Sequence, residues 1–154
     1  MGSAQPGAMT GPEMERLAFL LGTWDAEDKY EKTEFNPDGG EGSGSYKTVP
    51  GPGGFSLVTD YHYQAPHGSS SGHQARYVGY VVSSSFPGGL VASGNWDASN
   101  FVLGGDFEAR GMRNAFRQVS SDITPRSMIL RQYNSIEGAP SQLFGTTVLT
   151  RRTD

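Results

Sequence analysis

Asp28 and Tyr30 stand two residues apart in a stretch of alternating polarity, and Tyr61 and Tyr63 repeat that spacing further along the chain. On a β-strand, residues two apart share one face. A carboxylate beside several phenols could hold the polar end of a small molecule. It could also act as base and acid on a bound substrate, because an enclosed apolar site raises a carboxylate's pKa toward neutrality. Arg76 adds a cation in "ARYVGYVV". A turn centred between His67 and Gly68 sets Tyr61 opposite Gln74 and Thr59 opposite Arg76. Opposed residues share a face, so Gln74, Arg76, Val78, Tyr80 and Val82 would join the tyrosines. A shift of one residue would expose Arg76 and bring Tyr77 in. An inward arginine needs a partner, since an unpaired buried charge is costly. Asp28 or a ligand carboxylate could serve.

Other clusters carry less. By the same register His62 faces His73, with Asp60 along the same face. Two histidines and a carboxylate suit an open zinc site, and equally a solvent-facing strand end; no metal is expected. Ser69 to Ser71 lie near histidines but in a polar run unsuited to a preorganised nucleophile. The segments "PDGGEGSG" and "PGPGG" lack a phosphate-loop pattern and read as turns, so no cofactor is expected.

These residues need a scaffold. The chain has 154 residues, the length of one domain with its own core. It has no cysteine, which excludes disulfides, thiolate metal sites and cysteine nucleophiles. Net charge is −4, from 16 acidic and 12 scattered basic residues, which argues against nucleic acid or anionic membrane as partner. No apolar run reaches transmembrane length. Residues 1–10 lack the basic and apolar regions of a secretory signal and read as a flexible tail or cloning remnant. The domain is expected at residues 11–152, in the cytoplasm, with a homodimer compatible with its surface.

One helix is expected, with Gly11 as cap, Pro12 in the first turn, and Met14, Leu17, Ala18 and Leu21 on one face. Gly22 ends it. Strands are expected at 24–35, 42–49, 55–64, 73–82, 90–96, 101–103, 107–109, 112–119, 127–134 and 143–151. A meander of that length has two edges to protect. Closing it into an up-and-down barrel of about nine or ten strands removes them, and a two-sheet sandwich is the alternative. The fold class is all-β.

A short helix running into Gly22-Thr23-Trp24 at the first long strand resembles the lipocalin-like (calycin) pattern, where the tryptophan closes the barrel base. The segments "ERLAFLLGTWDAEDKY", "GGFSLVTDYHY", "YVGYVV", "GNWDAS" and "YNSIEGAPSQLFGTTVLTRR" resemble an uncharacterised bacterial lipocalin-like family. That resemblance implies a single antiparallel barrel and no particular activity. The chain is similar, more distantly, to the nitrobindins, which hold haem through a histidine on a late strand. No histidine follows His73, which argues against haem.

Such a barrel is expected to bind a small apolar or amphiphilic molecule, lined by Trp24, Asp28, Tyr30, Tyr61, Tyr63, Arg76, Tyr80 and Trp96. Trp24 doubles as the floor, and Trp96 reads equally as a wall residue or an end plug. An isomerase or cyclase on the same scaffold is the alternative, and a barrel filled by its own side chains is a third reading. Residue types lean away from an enzyme.

Overall fold

The computed structural model describes residues 11–34, 36–54, 56–65, 68–75, 78–83 and 86–153, with the side chains of Glu13 and of residues 68–75, 78–83 and 86–90 outside the description. The chain is a ten-stranded antiparallel barrel: β1 (Gly22–Tyr30), β2 (Gly40–Pro50), β3 (Leu57–Ala65), β4 (Gly68–Ala75), β5 (Val78–Ser83), β6 (Phe86–Asp97), β7 (Asn100–Ala109), β8 (Met112–Ser121), β9 (Ser127–Ile136) and β10 (Gln142–Arg151). Each strand pairs with its sequence neighbour, and β10 returns to β1. Pairs from Trp24–Arg151 to Tyr30–Gly145 close the ring. Closure satisfies the backbone groups that a sheet edge would leave open. No helix among the described residues is long and apolar enough to cross a membrane.

Alternation sets the interior. In β1 Trp24, Ala26 and Asp28 are buried while Asp25, Glu27 and Lys29 are exposed. In β3 Leu57 and Tyr61 are buried while Asp60, His62 and Gln64 are exposed. Two apolar clusters fill the end where the chain enters. Leu17, Leu57, Ala92, Phe101 and Leu103 form one, and Trp24, Ala26, Met128 and Leu149 the other.

Four local expectations change. The entry helix is a single turn, α1 (Pro12–Glu15), followed by a 3-10 turn at Ala18–Leu20. Leu17, only 2% exposed, dives into the core between them. Such a short segment gains little from its own hydrogen bonds, and tertiary donors take its carbonyls instead. The run 73–82 is not one strand: β4 ends at Ala75 and β5 begins at Val78. No Gly, Pro or Asn lies between them to signal a turn. Conversely, 101–103 and 107–109 belong to one continuous strand, β7. Gly105 does not bend it. A Cβ there would lie 3.3 Å from Ala92 Cα, so the glycine permits close packing against β6.

The fourth change is a register. Ala65 pairs with Gly68, so the β3–β4 turn is tighter than expected. Tyr61 opposes Gly72, and Thr59 opposes Gln74. The β3–β4 pairing slides by two residues, which keeps Gln74 in register with Thr59 and the inner face. In β5 the phase differs from the expected one: Val81 opposes Gln74, while Tyr80 opposes Ala75 and Val82 opposes His73.

Candidate ligand site in the barrel lumen

The floor of the barrel limits the space above it. Trp24 is 1% exposed, and its indole N–H donates to the Leu20 carbonyl at 3.1 Å. The guanidinium of Arg151, its cross-strand partner, lies over the ring. Arg151 Nη2 donates to the Phe19 carbonyl at 3.0 Å, Nε to the Pro125 carbonyl at 2.7 Å, and Nη1 to the Leu21 carbonyl. The arginine thus satisfies carbonyls that the broken entry helix leaves open. Trp96 packs at the same end, 5.4 Å from Phe19 and 5.4 Å from Phe101 between ring centroids. Arg16 covers it at 5.0 Å.

Above the floor, Asp28 is 7% exposed and points inward. The Thr147 hydroxyl, from the directly opposed position on β10, donates to its Oδ1. The Tyr30 hydroxyl donates to the same carboxylate. Tyr30 reaches back because its cross-strand neighbours lack side chains. It opposes Gly40 and Gly145, and its ring leans over Gly42, the partner of Asp28. A Cβ at Gly42 would sit 3.1 Å from Tyr30 Cε2 and 2.5 Å from the Gln64 carbonyl oxygen. Gly40, Gly42 and Gly44 therefore belong to the inner face of β2 and are not turn residues, contrary to the reading of "PDGGEGSG".

Three more tyrosines continue this wall. Tyr46 opposes Tyr61, with centroids 5.9 Å apart and planes 26° apart. Tyr61 stacks on Tyr63 at 6.1 Å and 14°. Burial, then the charge of Asp28, then neighbouring tyrosines push the Tyr30 and Tyr46 hydroxyls well above the usual tyrosine range. Both therefore stay neutral donors at physiological pH.

The facing wall is different. In the ten-strand ring β3 and β8 are diametrically placed. Register turns Asn114, Phe116, Gln118 and Ser120 of β8, and Leu130, Gln132 and Asn134 of β9, toward the axis. Gln132 Nε2 donates to Asn134 Oδ1 at 3.3 Å. Tyr63, Gln118, Gln132 and Asn134 face inward yet remain partly exposed. Solvent therefore enters the upper lumen. At that mouth a cavity of about 220 Å³ lies between the β1–β2 connection and the β9–β10 hairpin, lined by Thr33, Asn134, Ile136, Gln142 and Phe144 among others. Phe144 meets Tyr30 edge-on at 5.7 Å, so the cavity adjoins the Asp28 wall.

The expected residues thus divide. Asp28, Tyr30, Tyr61 and Tyr63 come together on one wall. Trp24 and Trp96 lie in the floor, apart from that wall. Tyr80 has its backbone in β5, opposite Ala75 and Val91; its side chain lies outside the described residues, and so do Arg76 and Tyr77. The register correction sets Asp60 opposite His73, and His62 opposite Ser71. No group of three His, Asp or Glu residues that could hold a metal occurs among the described residues. Sequence reading missed Tyr46, Thr147, Arg151 and the amide wall. The period-two glycines before Tyr46 were a legible sign of an inner face making room for rings.

Neither a protein-family model nor a curated protein sequence matches the chain. Solved structures match by shape. Rv2717c from M. tuberculosis superposes with a TM-score of 0.64 at 15% identity, covering 93% of this chain and 99% of that one. The S-type phycobiliprotein lyase CPES from Guillardia theta gives 0.54 at 13% identity, covering 92% of each chain. The protein EF1p2_mFAP2b, solved bound to DFHBI, gives 0.51 at 13% identity, covering 90% of this chain and 98% of that one. At such identities the likeness is one of fold, and this chain has a lipocalin-like barrel fold.

Proposed function

We propose that this barrel binds a small apolar or amphiphilic molecule in its upper lumen. The observation that carries the reading is the wall of Asp28, Tyr30, Tyr46, Tyr61 and Tyr63, set beside a solvent-accessible lumen and above a sealed floor. Ligand pockets join apolar and aromatic walls to a few placed polar groups, and this wall has that composition. Ring burial would supply most of the affinity, at roughly 25 cal/mol per Å² of apolar surface. Asp28 and the hydroxyls would set orientation. Among structurally similar proteins, one is described as bound to DFHBI and another as a phycobiliprotein lyase, which supports the reading at the level of fold analogy. The resemblance of the quoted sequence segments to the uncharacterised bacterial lipocalin-like family supports the same reading.

Native mass spectrometry of freshly purified protein tests the reading. A small molecule that stays bound under native conditions and leaves on denaturation is expected. A bare chain that also gains no thermal stability from any compound in a broad screen would reject it.

One observation favours a second reading, an isomerase or cyclase in the same lumen. Asp28 and Tyr30 share a hydrogen bond, so a base and a neutral donor already meet there. Loss of turnover in Asp28→Asn and Tyr30→Phe, with ligand still bound, would distinguish this from storage.

A further inference from the structure

The lumen carries an asymmetry of charge. By register and burial, two charged side chains among the described residues point into the barrel: Asp28 and Arg151. Arg151 is committed to the floor, where three carbonyls and the Trp24 ring engage its guanidinium. Asp28 faces the upper lumen, and its bonding partners among the described residues are two neutral hydroxyls, Thr147 and Tyr30. Every other described charge on these strands projects outward, including Asp25, Glu27, Lys29, Lys47, Asp60, Asp106, Arg113 and Arg117.

A carboxylate so buried is stabilised most by a positive charge brought into contact with it. The stacked rings of Tyr46, Tyr61 and Tyr63 add electron-rich surface, which attracts cations. The Gln118, Gln132 and Asn134 wall contributes dipoles but no competing cation.

We propose that the lumen selects a flat organic cation, such as an aromatic amine or a protonated or quaternised nitrogen heterocycle, with its positive nitrogen directed at Asp28 and its ring system against the tyrosine wall. This rests on the lumen-binding reading above and specifies its ligand class. It differs from the sequence-based alternative in which a ligand carboxylate partners Arg76. Anions would meet a buried negative charge, and uncharged molecules would leave Asp28 as they find it.

The test uses the full chain and two fluorescent probes, the cationic thioflavin T and the anionic anilinonaphthalene sulfonate, titrated into wild type and Asp28→Asn. The amide keeps an acceptor for Thr147 and removes the charge. Wild type is expected to bind thioflavin T more tightly than the anionic probe. Asp28→Asn should weaken thioflavin T binding on the order of tenfold, the cost of losing a charge-assisted contact. Equal or tighter binding of the anion by wild type overturns the proposal while leaving lumen binding intact, as does unchanged thioflavin T affinity in a folded Asp28→Asn. Binding of neither probe overturns the proposal and counts against the lumen reading as well. If Asp28→Asn does not fold, the comparison of the two probes on wild type decides by itself.

Discussion

The guanidinium carbon of Arg151 lies 4.1 Å from the centroid of the Trp24 ring, at the seam where the last strand meets the first. That single contact ties closure of the barrel to the chain entry, because the same arginine binds the Phe19, Leu21 and Pro125 carbonyls. Arg151→Ala would strip the bonds from these carbonyls and uncover the indole. A loss of about 2–4 kcal/mol in urea unfolding is expected, since charged hydrogen bonds contribute about 1.5–3 kcal/mol and the unpaired acceptors add to the cost. Arg151→Lys should recover only part of it, because an ammonium lacks the planar fork. An unfolding midpoint unchanged in Arg151→Ala would remove the seam from the account of stability.

The two tryptophans make a contrasting pair. Trp24 Nε1 has the Leu20 carbonyl, while Trp96 Nε1 is buried with no hydrogen-bond partner among the described residues. Trp24→Phe gives up a satisfied bond, ring volume and part of the Arg151 contact, and should cost about 2–4 kcal/mol. Trp96→Phe loses ring volume but also removes an unsatisfied N–H, whose burial costs about 1–3 kcal/mol, so the net change should stay within about 1 kcal/mol. Chemical denaturation of both variants checks the ordering. A larger loss at Trp96 than at Trp24 would contradict it.

Gly42 makes room for Tyr30. Its missing Cβ would lie 2.5 Å from the Gln64 carbonyl oxygen, a backbone atom that cannot swing aside. Gly42→Ala should destabilise the barrel by about 1–3 kcal/mol, the usual cost of overpacking. It should also shift the Tyr30 ring from Asp28, which the chemical shifts of the Tyr30 ring protons would report. Gly111→Ala makes a control for space, since no atom of the described residues lies within 4 Å of a Cβ there. Its positive φ of 72° predicts a smaller loss of backbone origin.

Alkaline pH should weaken the fold. Tyr30 and Tyr46 hold their protons more tightly in the folded barrel than the ordinary value of 10.0. Above about pH 10 the unfolded chain sheds protons that the native state keeps, so stability falls as pH rises. Below that value both states are protonated and the contribution is constant. Urea midpoints should therefore be level up to about pH 9 and decline beyond about pH 10, with a shallower decline in Tyr30→Phe and Tyr46→Phe. Native tyrosine absorbance should show Tyr30 and Tyr46 resisting ionisation until the chain unfolds. Full ionisation in folded protein would refute the expectation.

Much of the barrel was legible in the residues themselves. Alternation in "TWDAEDKY" and "SLVTDYHY" specifies which side chains turn inward, because a strand's period of two leaves no third option. Proline and glycine clusters mark most turns. A meander with no long connection closes most simply on itself. Asp28, Tyr30, Tyr61 and Tyr63 follow from that phase alone. Three things waited for the tertiary structure. The β4–β5 boundary carries no turn residue, so local pattern runs straight through it. The β3–β4 register depends on turn length, and a slide of two residues keeps the faces of that strand pair while changing every partner. Above all, Thr147 and Arg151 stand more than a hundred positions from the residues they serve. Their partnership exists because β10 closes onto β1, a pairing that no local stretch of sequence encodes. Closure decided that Asp28 is held by hydroxyls and that the nearest described inward cation is spent on the floor.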